Sequence, residues 1–203
     1  MDWTSILRSC GVHPNNVSRW TPVFAAEIGP TTFSAGLREL PDFLGQILHE
    51  SVMLDRVLES LTYTTAARIR AVWPSRFPTE ASAQPFVRNP QELAEAVYGG
   101  RMGNVRPGDG WRFRGRGLLQ VTGRDNYRTV GRALGIDLEA LPDALAEPAW
   151  ALRSAIAWWE RNIPDAIIGD VQRITRRVNG GKHGLDERVR LARVAERAIA
   201  GAA

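Results

Sequence analysis

The 203-residue chain holds a single cysteine, Cys10, and a single lysine, Lys182. One thiol cannot close an internal disulfide, so stability has to come from packing, and synthesis in a reducing cytoplasm fits. No apolar run approaches the roughly 18 residues that a membrane span needs. The opening stretch MDWTSILRSCGVHPNN lacks the basic segment and following apolar stretch of a secretory signal, so none is expected. Histidine is scarce as well. His49 opens HES at 49–51, but a zinc-peptidase helix needs a second histidine four residues on, and Met53 stands there. His13 and His183 are isolated, so no metal and no cofactor are expected. Gly115, Gly117 and Gln120 do not complete a dinucleotide fingerprint, and RFRGRG at 112–117 is too brief for an arginine-glycine RNA-binding tract. Internal repeats and low-complexity tails are absent.

What is present is an ordinary globular balance, 44% hydrophobic and 24% charged, with a net charge of +4. The basic residues are nearly all arginine and form two clusters. Eight lie between 101 and 132, against Asp109 and Asp125; seven more, with Lys182, lie beyond 171, against Asp186, Glu187 and Glu196. Such clusters suit a polyanionic partner, or are simply solvated faces.

Periodicity and punctuation predict helices over 3–10, 17–28 (Pro22 near its first turn), 64–76, 90–99, 124–134, 148–162, 170–179 and 185–200, with another beginning near Pro41. The stretches 29–36 and 74–86 read as irregular. RPGDGWRFRGRGLLQVTG, at 106–123, reads as a small β-hairpin or extended segment. The whole is mainly α. Trp73, Trp111, Trp150, Trp158 and Trp159 read mostly as core, with Trp111, beside the glycine-rich segment, the candidate for a cleft position.

FLGQILHESVMLDRVLESLTY, at 43–63, poses the central problem. Glu50 and Glu59 stand nine residues apart in an otherwise apolar stretch. They are either the polar side of an amphipathic helix or a catalytic pair. On one continuous helix, nine residues turn the chain by about 900°, which puts the two on opposite faces. A pair therefore requires a break between them, and no glycine or proline marks one.

Several separated segments, FLGQILHES, VLESLTYT, AVWPSRF, VYGGRMGN, GDGWRFRGRGLLQVTGRDNY and ITRRVNGG, together resemble glycoside hydrolase family 19, in particular its bacteriophage endolysin branch. The resemblance covers roughly residues 40–195. It implies a lysozyme-like, two-lobed helical fold with a small β-hairpin and a central cleft. One catalytic domain, 1–203, would hold a smaller lobe at approximately 64–110. It implies Glu50 as general acid, Glu59 as the second acidic position, and Thr122 as the hydroxyl that holds the attacking water. His49, Tyr63, Trp111, Gln120, Asn126, Asn179 and Arg188 would line the sugar-binding site. In an inverting reaction the two carboxyl groups lie roughly 6.5–9.5 Å apart. Apolar neighbours are expected to keep Glu50 protonated, while Glu59, nearer solvent and arginines, stays ionised.

The activity so implied is cleavage of β-1,4 bonds in peptidoglycan glycan strands by a monomer. The enzyme would be made in a host cytoplasm and reach the wall once another protein opens the inner membrane. A chitinase acting on N-acetylglucosamine polymers shares the mechanism. A non-catalytic wall- or nucleic-acid-binding module would rest only on the basic clusters, and no obligate nucleic-acid partner is expected. The helix LDERVRLARVAERAIA, at 185–200, is either docked on the core or offers a basic face to lipopolysaccharide or an anionic membrane.

Overall fold

The computed structural model describes residues 1–201. Its helices are α1 (Trp3–Ser9), α2 (Pro14–Glu27), α3 (Leu40–Glu50), α4 (Ala66–Val72), α5 (Glu80–Ala83), α6 (Pro90–Tyr98), α7 (Asp109–Arg112), α8 (Arg124–Leu134), α9 (Pro148–Asn162), α10 (Val171–Asn179) and α11 (Leu185–Gly201). The chain divides into two compact units. The first comprises Met1–Val57, Arg116–Gln120 and the chain from Asp143 onward; the second comprises Leu58–Gly115 and Val121–Pro142.

The first unit is organised on α3. Pro41 sits in its first turn, where a missing N–H costs nothing. Leu40, Phe43, Leu44, Ile47 and Leu48 are all fully buried, so α3 is a core helix rather than a surface one. Trp3, Ile6 and Leu7 from α1, Trp20 and Phe24 from α2, and Trp159 from α9 pack in the same cluster. Phe43 meets the Trp159 ring edge-on at 5.4 Å. The Trp159 indole N–H donates to buried Glu39 at 2.6 Å, and the Ala35 N–H donates to the other oxygen of that carboxylate at 2.6 Å. Two donors make this buried acid tolerable.

Helix α11 packs on α3, and Gly45 lets the two backbones come close. A Cβ there would stand 2.9 Å from the Arg188 carbonyl oxygen and 3.1 Å from the Ala192 Cβ. Both neighbours belong to a packed helix and cannot swing aside. Gly45→Val is therefore expected to lower stability by about 3 kcal/mol, through overpacking. Urea unfolding measures this, and an unchanged midpoint would mean that the two helices separate at no cost.

The second unit closes a smaller apolar core of Leu61, Ile69, Phe77, Ala83, Leu93, Ala94 and Val97. Beside it lies a polar cluster. Arg124 bonds both Asp109 oxygens, at 3.1 and 2.5 Å, and reaches Glu139 at 3.1 Å; Arg128 holds Glu139 at 2.7 and 3.0 Å. Burial works against the Asp109 carboxylate, but bonds from Arg124 and from the Arg106 N–H outweigh it and hold its pKa below the ordinary value. Glu139 is held low chiefly by the bond from Arg128, against burial, with Arg124 adding to it.

A carboxyl group with a lowered folded-state pKa contributes stability above its unfolded pKa, about 3.9 for Asp and 4.3 for Glu. That contribution is lost as pH falls through the folded value. Asp42 and Glu160, in the first unit, are raised by burial and carry the opposite sign. The test is therefore a comparison with a variant. Asp109→Asn should lose about 3 kcal/mol at neutral pH, as expected when a buried pair is broken. Its unfolding midpoint should then fall less steeply than the parent's below about pH 4. Parallel thermal-melting curves over that range would refute the assignment.

The structure corrects several sequence expectations. Helix α2 begins at Pro14, with the His13 ring accepting the Asn15 N–H at 3.3 Å, so Pro22 lies inside it rather than in its first turn. The stretch 74–86 contains α5, which a reciprocal Thr79–Ser82 capping box makes possible in only four residues. The stretch after 106 opens with the short α7, and the expected hairpin is reduced to isolated bridging residues. Gly117 at φ +80° and Gln120 at φ +52° turn the backbone out of the extended region, so no ladder can propagate.

Candidate active site

The break that the sequence could only require is present. Helix α3 ends at Glu50, and Val52, Met53 and Leu54 follow with φ of 50°, 60° and 65°. For residues with a Cβ, this left-handed region costs about 1–2 kcal/mol each. The turn is held by bonds at every step. The Ser51 hydroxyl donates to the Ile47 carbonyl at 2.6 Å and accepts the Leu54 N–H at 2.9 Å. The Met53 N–H caps Leu48 at 2.7 Å, and the Arg56 N–H reaches the Ser51 carbonyl at 2.8 Å. From α2, the Asn16 amide and the Trp20 indole donate to the carbonyls of Met53 and Leu54, at 3.3 and 3.1 Å. Leu54 itself is fully buried, which anchors the turn in the core.

Glu50, at the last position of α3, is about a quarter exposed, and its Oε1 accepts from Arg188 Nη2 at 2.5 Å. Arg188, from α11, is 1% exposed. Its other bonds go to Gln46 Oε1 at 2.6 Å and the His183 carbonyl at 3.1 Å. Gln46 continues to the Thr175 hydroxyl at 3.3 Å, and that hydroxyl donates to the Val171 carbonyl at 2.7 Å. A buried polar line thus runs from α10 through α3 and α11 to the Glu50 carboxylate. The second Glu50 oxygen, Oε2, is engaged by none of these groups. His49 Nδ1 lies 2.7 Å from Glu187 Oε2. Gly184 lies against the imidazole so closely that a Cβ there would come within 2.2 Å of the ring. Asn179 bonds the Gly181 N–H at 2.8 Å and the His183 carbonyl at 3.0 Å, which shapes the loop that carries Gly184.

In the second unit, the Glu59 carboxylate accepts from the Tyr98 hydroxyl at 2.6 Å and the Gly115 N–H at 3.1 Å. The Glu59 N–H donates to the Gly115 carbonyl at 2.9 Å, so backbone and side chain are fixed by the same residue. Burial first, then the Glu59 charge and its hydrogen bond, push the Tyr98 phenol pKa far upward. The phenol therefore stays protonated and remains a donor. Burial and the Glu59 charge also raise Tyr63, whose ring packs edge-on against Trp73 at 5.4 Å. The Asn126 amide donates to the Thr122 carbonyl at 2.7 Å. The Arg114 guanidinium covers one face of half-buried Trp111 at 3.8 Å, which takes that face from any sugar.

The surroundings of the two acids differ from those expected. Glu50 does not sit in a purely apolar pocket, because Arg188 arrives from 138 positions along the chain. Glu59 is held by a phenol and a backbone amide rather than by arginine. Arg188 is too deeply buried to offer its guanidinium to solvent and instead holds Glu50. Gln120 belongs to the first unit, where its side-chain amide and its own N–H both reach the Gly117 carbonyl, at 3.2 and 3.3 Å. Sequence reasoning missed Gln46, Tyr98, Thr175 and Glu187. The spacing of Gln46 and Glu50, one helical turn apart, was the only available signal. Among the described residues, no three His, Cys, Asp or Glu side chains gather as metal ligands, and no helix is long and apolar enough to cross a membrane.

Comparison with known proteins gives this arrangement a family. No family model matches the sequence. A glycosyl hydrolase family 19 domain-containing protein of Haemophilus influenzae is 37% identical over 153 residues, covering 74% of this chain and 75% of that protein. An Arabidopsis thaliana endochitinase is 29% identical over 120 residues, and the match spans only 42% of that relative's length. The fold is similar to that of chitinase C from Streptomyces griseus, with a TM-score of 0.56 and 17% identity over 98% of this chain and 91% of that one. The mostly helical architecture thus has a solved counterpart, and with more than a third of residues shared over three quarters of the Haemophilus protein, the chain belongs to glycoside hydrolase family 19.

Proposed function

We propose that this glycosidase is an endolysin-type enzyme that hydrolyses β-1,4 bonds of the peptidoglycan backbone by inversion. Glu50 protonates the leaving glycosidic oxygen, Glu59 deprotonates the attacking water, and Thr122 orients that water. The observation that carries this reading is the left-handed turn at Val52–Leu54, which ends α3 at Glu50 and takes Glu59 off the helix. A chain tolerates three such residues in succession when the surrounding structure enforces them, as it does at functional sites.

The protein groups divide the work. Arg188 fixes Glu50 Oε1, which leaves Oε2 for the glycosidic oxygen. Tyr98 and the Gly115 N–H orient the Glu59 carboxylate as a proton acceptor. Preorganised hydrogen bonds of this kind spare the reaction the cost of reorienting dipoles. Synthesis in a host cytoplasm, with access to the wall after the inner membrane is opened, belongs to the same reading.

The decisive experiment incubates the protein with purified peptidoglycan and measures new reducing ends. Mass spectrometry of the fragments identifies the bond cut, and NMR of the first-formed anomer reports its configuration. Soluble fragments with inverted anomers are expected. A second reading, a chitinase, draws on the endochitinase and chitinase relatives. Glycol chitin degraded much faster than peptidoglycan would favour it, and a retained anomer would overturn the assignment of Glu59 as base.

A further inference from the structure

The two arginine clusters have different fates in the structure. In the 101–132 cluster, Arg112, Arg116, Arg124 and Arg128 are tied to carbonyls or carboxylates. Arg173, Arg176 and Arg177, on α10, are exposed, and none has a carboxylate within ion-pairing distance among the described residues. They line a groove of about 450 Å³ whose remaining wall is Pro164, Ala166 and Ile167. No acidic residue lines it. The two carboxylates nearest in sequence point to other duties. Asp165 accepts the Ser34 hydroxyl at 2.8 Å, and Asp170 caps α10 by accepting the Arg173 N–H at 3.0 Å. The two grooves along α11 are different in kind, since Arg190, Arg193 and Arg197 share their walls with Asp186 and Glu196, and Arg38 and Arg193 share theirs with Asp42, Asp170 and Glu196.

Helix electrostatics account for part of this set only. Arg176 and Arg177, in the last turn of α10, complement the helix dipole; Arg173, in the first turn, opposes it. Three like charges within little more than one helical turn also repel one another. An arrangement that is unfavourable for the free protein becomes favourable once a multiply charged anion arrives. Three guanidiniums exceed what a single carboxylate neutralises, whereas a phosphate ester offers more charge and several acceptor oxygens at guanidinium spacing. The apolar wall suits the carbon skeleton that bears the ester.

We infer that the α10 groove is a binding site for a phosphate ester, separate from the hydrolytic residues. A lipid head group and a free soluble ester both present that chemistry, and the two arms of the test tell these apart. Binding of the full-length protein to phosphatidylglycerol vesicles and to soluble glycerol 3-phosphate is measured at low and high salt. The parent is compared with Arg173→Gln/Arg176→Gln/Arg177→Gln and with Arg190→Gln/Arg193→Gln/Arg197→Gln. Because the side chains of Arg173, Arg176 and Arg177 are exposed and pair with no carboxylate among the described residues, the first variant should retain its circular dichroism and its rate on a soluble oligosaccharide.

The first variant should lose vesicle affinity on the order of 100-fold, at about fivefold per arginine. The parent's binding should weaken steeply with salt, and the α11 variant should lose much less. Saturable binding of glycerol 3-phosphate that the α10 variant loses identifies the free ester as sufficient. Binding to vesicles alone identifies the lipid head group. The inference is overturned if the parent binds neither probe, or if the α10 variant binds as the parent does. It is also overturned if the α11 variant shows the larger loss. Hydrolysis is read separately in every case, so loss of this site and loss of the glycosidase reading are distinct results.

Discussion

Replacing Glu50 by glutamine should lower kcat/KM on polymeric substrate by about 10²–10⁴-fold, the range for removal of a general acid. The fold should survive. Glutamine keeps the length of the side chain and an oxygen that can accept from Arg188 Nη2, so the 2.5 Å contact has a neutral replacement. Exchanging a bond between two ionised groups for one between the guanidinium and a neutral amide oxygen costs about 1–2 kcal/mol. For a chain of this size that lowers the melting midpoint by about 2–4 °C per kcal/mol. Two companions separate acid chemistry from simple occupancy. Glu50→Asp retains the acid but withdraws it by one methylene, and a misplacement of about 1 Å can itself cost about 10²-fold. An aryl oligosaccharide whose leaving group departs without a proton should be spared in Glu50→Gln relative to the natural substrate. Wild-type hydrolysis by the folded Glu50→Gln protein would remove Glu50 from the reaction, and equal losses on both substrates would assign it a role other than proton donation.

The same position illustrates what a sequence can and cannot display. The periodic helices α8 and α9 have the bounds that their apolar spacing and flanking glycine or proline indicate, 124–134 and 148–162. Local signals suffice there because local packing decides. The turn after Glu50 is the opposite case. Val52, Met53 and Leu54 are residues that avoid the left-handed region, so no propensity announces it. What enforces it comes from α2, through Asn16 and Trp20, and from the burial of Leu54. Such tertiary constraints leave no mark within the segment they bend. Arginine shows a similar limit. Composition placed Arg124, Arg173 and Arg188 in the same category of positive charge. In the structure, Arg124 is locked between Asp109 and Glu139, Arg173 lines an open groove, and Arg188 is buried against Glu50. Only the positions of their partners, far away in sequence, distinguish the three.

Arg188 carries the second large expectation. Its guanidinium reaches three acceptors at once, Gln46 Oε1, Glu50 Oε1 and the His183 carbonyl. Methionine can fill much of its volume but satisfies none of them. Removing one member of a buried pair costs about 3–5 kcal/mol, and the partial exposure of Glu50 moderates this towards about 2–4 kcal/mol. The melting midpoint of Arg188→Met should therefore fall by roughly 5–15 °C. Lysine keeps the charge but offers a single ammonium in place of a planar fork, so Arg188→Lys should recover only part of that loss. Because a merely structural arginine would also destabilise, the informative variant is Arg188→Met/Gln46→Met, which removes the stranded Gln46 acceptor and refills the space with apolar side chain. Stability should return in part, since the Gln46 acceptor is removed together with its donor while Glu50 and the His183 carbonyl stay without theirs. Activity should not return, because the Glu50 carboxyl remains unheld. The deficit should appear in kcat, with KM near the parent value, since Arg188 acts on the acid and is too buried to contact sugar. A double variant that regains both stability and kcat would show that Arg188 contributes to packing alone and does not position Glu50.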